Sequence, residues 1–99
     1  MTAELFIAPE AEEDIGDAYA WYERRRHGLG EDFLSSVDAS IQRICRIPEL
    51  NATIFKEYRR VLVRRFPYAI FYEFDGTTVT VFGVFHTSRD SETWHLRLG

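Results

Sequence analysis

Near residue 50 the chain changes its hydrophobic period, and few folds absorb such a change within 99 residues. Before it, Ala11, Ile15, Ala18 and Tyr22 recur at the i, i+4, i+7, i+11 spacing of one helical stripe. Leu34, Val37, Ile41 and Ile44 form a second stripe, flanked by Phe33 and Cys45. After it, YRRVLVRRF (58–66), YAIFYEF (68–74) and TTVTVFGVFH (77–86) are rich in the β-branched and aromatic residues that suit strands. Two amphipathic helices need an apolar surface to cover, and the second half is the only candidate.

The punctuation sharpens this reading. Residues 3–8 (AELFIA) form a short apolar run that stops at Pro9, which fits a brief strand followed by a helix over 9–26 with proline in its first position. Glu10, Glu12, Glu13 and Asp14 sit early in that helix and Arg24, Arg25 and Arg26 late, both in accord with the helix dipole, although Ala8 is a poor cap. Gly28 suits the left-handed residue that ends a helix, and with Leu29 and Gly30 it makes a corner into a second helix over 31–46, closed by Pro48. Pro67 divides the first two strands of the second half, and Asp75-Gly76 is a hairpin signal between the last two. The expected fold is α+β: an N-terminal strand and an α-helical hairpin packed on a mainly antiparallel four-stranded sheet, one domain over 1–99. A polar tail over 87–99 follows, with Trp94, Leu96 and Leu98 as anchors.

Composition narrows the function classes. At 45% hydrophobic and 28% charged the chain is an ordinary globular protein, and its eight Phe, five Tyr and two Trp supply the large buried areas that a small core requires. Cys45 is the sole cysteine, so no intrachain disulfide forms. No signal-peptide pattern and no membrane-length apolar run is present, which points to the cytoplasm and away from membranes. No Gly-rich phosphate loop, Ser/His/Asp arrangement or ligand-spaced His/Cys/Asp cluster occurs, so neither a metal nor a nucleotide cofactor is expected. The net charge of −4 opposes generic nucleic-acid binding. It is unevenly spread: residues 1–50 carry five Arg against eleven Asp and Glu, whereas residues 51–99 carry seven Lys and Arg against five Asp and Glu. An anionic ligand should meet the second half.

The order of strand, helical hairpin, three-strand meander and a polar tail after a terminal His resembles the ParE/RelE toxin superfamily of type II toxin–antitoxin systems. AEEDIGDAYAWYERRRHGLGEDFLSSVD and YRRVLVRRFPYAIFYEFDGTTVTVFGVFHTSRD carry the resemblance. The WYE at 21–23, the GLG corner and RRFPYAIFYE look closest to the ParE-like, plasmid-stabilisation branch. The resemblance implies a growth-inhibiting toxin held in a hetero-oligomer by a cognate ParD-like antitoxin. In the ParE branch the target is DNA gyrase, and in the RelE branch the ribosome, where the toxin cuts mRNA. Fold kinship does not choose between them, nor exclude a non-toxic binding module on the same scaffold.

RNA cleavage through the 2′-hydroxyl needs a base, an acid and cations around the phosphorane. RelE-like nucleases draw these from basic residues on the sheet and a Tyr or His near the C-terminus. By that resemblance His86, Arg89 and Arg65 are the catalytic candidates, with Arg64, Lys56 and Tyr68 behind them. The bland alternative for His86 is an idle strand-end residue. A continuous strand over 58–66 would put Arg60 and Arg64 on one face and Arg59 and Arg65 on the other, and an edge strand could carry them merely to deter aggregation. A chain with one Lys and a net charge of −4 is poorly supplied for gripping ribosomal RNA, which favours a toxin that binds gyrase and makes no bond of its own. Target-binding candidates are then Arg64, Arg65, His86, Arg89 and Trp94. Antitoxin-binding candidates are Trp21, Arg25 and Arg59, while Tyr22 belongs to the core and Glu12, Glu13, Asp17 and Glu23 to a solvated face.

Overall fold

The structure is a computed structural model that describes residues 2–88 and 91–99, the side chains of 91–93 excepted. The elements run β1 (Glu4–Ile7), α1 (Pro9–Arg25), α2 (Leu29–Arg46), β2 (Thr53–Phe55), β3 (Tyr58–Leu62), β4 (Tyr68–Phe74), β5 (Thr78–His86) and α3 (Ser91–Leu98). The strands form one sheet in the order β1-β5-β4-β3-β2, antiparallel except for the parallel pairing of β1 with β5. The expected α+β architecture is present, with the three-residue β2 as an addition to the four strands read from sequence. Because β2 pairs with β3, the arginine-bearing strand is not the edge of the sheet.

The helical hairpin covers one face. Ala11, Ala18 and Tyr22 of α1 and Phe33, Val37, Ile41 and Ile44 of α2 are buried against Ile70, Tyr72, Val79, Val81 and Val84. Burying a side chain of the size of Phe33 or Ile44 contributes on the order of 1.5–3 kcal/mol. Phe33 takes the fully buried place on the α2 stripe, and Leu34 sits at its margin. Tyr72 is buried ring and all because its hydroxyl donates to Pro48 O at 2.8 Å and accepts from Asn51 Nδ2 at 3.2 Å, which ties the 47–52 loop to the sheet.

Three local departures from the sequence expectation have physical causes. The second helix begins at Leu29 rather than Glu31. Gly28 stands before it with φ 92°, and the Glu23 carboxylate accepts from Gly28 N and Gly30 N, both at 2.9 Å, supplying the cap that no side chain of the corner provides. Gly30 fits closely there, since a Cβ would lie 2.8 Å from the Tyr19 ring and from Glu23 Oε1 and would push these side chains aside. The first strand of the meander ends at Leu62 rather than 66: the chain turns over 64–67 with Arg65 at φ 71°, closed by Val63 N donating to Tyr68 O at 2.8 Å. The alternation assigned to Arg64 and Arg65 therefore does not hold.

The third departure is the largest. The tail read as a polar segment with apolar anchors is a helix, α3, that lies over the sheet face opposite the hairpin, anchored by Trp94 and Leu98 but not by Leu96, which is exposed. Leu98 is buried there with Ala69, Phe71 and Phe85, and Trp94, Phe55, Tyr58 and Phe82 pack around them. Within β5 a bulge opposite Phe71 and Tyr72 shifts the register. It resets the alternation, so Val79, Val81 and Val84 face the hairpin while Phe82 and Phe85 face α3.

Candidate functional site

The pairing of β1 with β5 ends at Val81, and beyond it α1 supplies the partner of the Val84 amide. Asp14 Oδ2 accepts from Val84 N at 3.0 Å and from Arg97 Nη1 of α3 at 3.0 Å, while Asp14 Oδ1 takes Arg97 Nη2 at 3.3 Å. The Arg97 guanidinium also lies 4.8 Å from the Phe85 ring centre. One carboxylate thus joins α1, the bulge of β5 and α3.

Beside this junction, α1 and the ends of β4 and β5 enclose a cleft of about 450 Å³. Asp14, Asp17, Trp21 and Tyr22 form its α1 wall, and Pro67, Tyr68, Val84 and His86 the sheet wall. The Tyr22 ring meets Phe33, Phe66 and Tyr68, and its burial pushes the hydroxyl above the usual phenol value, with Tyr68 adding to the shift. Trp21 stands edge-on to Tyr22, 44% exposed, with the Arg25 guanidinium 4.2 Å from its ring centre. His86 is half-buried, edge-on to Tyr68 at 5.2 Å, and its Nδ1 accepts from Ser88 N at 3.0 Å. The neutral ring therefore carries its proton on Nε2.

Arg64 and Arg65 line a different recess, of about 410 Å³, with Ser35, Ser36, Ala39, Ser40 and Arg43 of α2. Arg59 is occupied, since its guanidinium donates to the carbonyls of Glu49 and Asn51. Lys56 lies over the Phe55 ring at 5.3 Å. Trp94 is half-buried and packs on Phe55 and Phe71 from α3, on the outer face of the sheet. Arg89 lies outside the described residues. Of the three residues a nuclease would combine, His86 and Arg65 line separate recesses.

Sequence reasoning passed over Asp14, Glu23, Arg43 and Arg97. Asp14 sits among like charges at the acidic start of α1 and Glu23 beside a run of arginines at its end, and nothing in either spacing separates a bonding carboxylate from a solvated one. Arg97 lies in a segment read only as a polar tail with apolar anchors. Among the described residues no group of three or more His, Cys, Asp or Glu is arranged to hold a metal. Cys45 is buried, and that burial raises its thiol pKa.

Comparison with known proteins agrees with this architecture. Toxin ParE2 of Mycobacterium tuberculosis, in strains CDC 1551 / Oshkosh and ATCC 25618 / H37Rv, is 28% identical over 87 residues, covering 87% of this chain and 83% of the relative. A solved structure of the chromosomal ParDE TA system from P. aeruginosa superposes with a TM-score of 0.76 at 11% identity, over 86% of this chain and 96% of that one. At that identity the likeness speaks for the fold. The model of the ParE toxin of the type II toxin–antitoxin system, parDE, matches residues 5–91. With most of its length inside that match, the chain belongs to the ParE toxin family of type II toxin–antitoxin systems.

Proposed function

We propose that the chain arrests growth by binding and poisoning DNA gyrase, without making or breaking a bond itself, and that a ParD-like antitoxin silences it in a hetero-oligomer. The composition of the His86 cleft carries this reading. Two carboxylates and three aromatic rings surround the imidazole, and none of the lining residues is Arg or Lys. With Asp14 already paired to Arg97, the lining offers no free cation to hold a phosphate where a nuclease would need one. It suits instead an apolar or basic side chain of a protein partner, and the exposed Trp21–Arg25 stack gives that partner an aromatic anchor. The antitoxin is accordingly assigned to the Trp21 and Arg25 side of the cleft. Arg59 takes an indirect part, by shaping the 47–52 loop.

Induction of the chain without an antitoxin, with DNA breaks and messenger ends read in parallel, tests the target. Gyrase-dependent breaks with an SOS-type response and intact messengers are expected. Normal supercoiling by gyrase in the presence of excess pure toxin would refute the gyrase assignment. Codon-phased messenger cleavage abolished by His86→Gln would establish the RelE-type activity in its place.

A further inference from the structure

The recess between α2 and the 64–67 turn gathers three arginines and no carboxylate, a local exception in a protein whose net charge is −4. Arg43 reaches it from the last turn of α2, and Arg64 and Arg65 from the turn after β3. Among the described residues the carboxylate–cation pairs within 4 Å are His27–Glu23 and Arg97–Asp14, so these three guanidiniums lack a carboxylate partner. Arginine charges gathered without a counter-charge repel one another, and an anion seated among them removes that repulsion. The opposite wall is low and polar: Ser36 and Ser40 stand one turn apart on α2 and face the arginines. The Arg65 backbone adopts φ 71°, a conformation that costs a non-glycine residue energy and here delivers two consecutive arginines to one turn.

We propose that this recess grips the phosphodiester backbone of duplex DNA. All three arginines are exposed at its rim. A single small anion held by such solvated groups gains little, because water and salt screen each contact. A polyanion behaves otherwise, since successive phosphates engage several guanidiniums and release condensed counterions together. Guanidinium forks also match phosphate oxygens in pairs, which a lysine cluster would not. The site lies apart from the acidic His86 cleft, so one molecule can hold a protein partner at one recess and DNA at the other. The proposal goes beyond the gyrase reading and does not depend on it.

The test uses the purified chain and a fluorescein-labelled duplex with no gyrase present, followed by polarisation over a salt series. Weak binding of the non-specific class is expected, and three neutralised phosphates would make log K fall against log salt with a slope of about −2 to −3. The variant Arg64→Gln/Arg65→Gln should weaken binding at least roughly tenfold and flatten the slope by about two. Arg60→Gln changes one like charge outside the recess, and its affinity should stay within about twofold of the parent. Backbone amide shifts on DNA addition should concentrate at Ser36, Ser40 and residues 63–66. Because the substituted arginines are exposed, unchanged melting temperatures will confirm that the variants fold. The proposal is overturned by no saturable signal at low salt, or by an equal loss in Arg60→Gln. It is overturned equally if inorganic phosphate displaces the duplex more effectively than chloride at matched ionic strength, which marks a small-anion site, or if polyglutamate competes as well as DNA, which marks an acidic-protein site.

Discussion

Asp14 does three jobs with one carboxylate: it satisfies the Val84 amide at the β5 bulge, holds Arg97 and forms part of the cleft wall. Its side chain is 15% exposed and that of Arg97 28%, so the pair is partly shielded from water. Asp14→Ala strands both the amide and the guanidinium and should cost about 2–4 kcal/mol, whereas Arg97→Ala leaves the amide bond intact and should cost roughly 1 kcal/mol. Urea denaturation of the two variants would measure the difference, and equal costs would show that the amide bond contributes little. Glu23 gives a pH-dependent counterpart. The amide of Gly28 holds its carboxyl below the usual 4.5, with Gly30 and His27 acting in the same direction and burial opposing them. A carboxyl whose folded value is depressed stabilises the fold above its unfolded value and loses that contribution as pH falls through the folded one. Glu23→Gln should therefore be less stable than the parent at neutral pH, with the gap closing as the pH drops below 4.5. Urea midpoints across that range would reveal it, and a gap independent of pH would exclude the charged cap as its source.

At the scale of elements, legibility followed the length of the repeating pattern. α1 and α2 carry stripes over 17 and 18 residues, long enough for their period to be read, and β4 and β5 are bracketed by Pro67 and Asp75-Gly76. β2 has three residues and α3 eight, too few for a period to rise above the background, so each is visible only through its packing. The bulge in β5 falls beside Gly83, a residue type that marks such irregularities, whereas the Asp14 bond next to it comes from a distant helix that no local pattern announces. The same applies to the candidate sites. His86 and the arginines could be named from their types, but their division between two recesses depends on the turn at Arg65, which breaks the alternation of a straight strand. Two substitutions test elements as units. Gly28→Ala forces a side chain into a left-handed backbone at the mouth of α2 and should cost about 1 kcal/mol or slightly more by thermal melting. Leu98→Ala removes the buried anchor of α3 and should cost about 2 kcal/mol while exposing Phe71 and Phe85 to a hydrophobic dye. No gain in dye binding would mean that α3 stays seated through Trp94 alone.

For the molecule as a whole, a toxin that acts by adhesion predicts a pattern of variants different from that of a catalyst. His86→Gln should weaken growth arrest only by degree, as the loss of one contact does, whereas Trp21→Ala should make the antitoxin a poorer rescuer by roughly tenfold in the dose required, the scale of a lost interface anchor. Plating under graded induction of each gene would measure both, and messenger cleavage abolished together with arrest by His86→Gln would overturn the adhesive reading. The sheet order adds a constraint in time. β1 is hydrogen-bonded to no strand but β5, with Glu4 beside Thr78 and Ile7 beside Val81, so the first strand made by the ribosome waits for the last. Until those late residues emerge, the nascent chain has a helical hairpin with only a partial surface beneath it. If the proposed poisoning requires the completed sheet, it begins only once nearly the whole chain has been made, which leaves an interval for a neutralising partner.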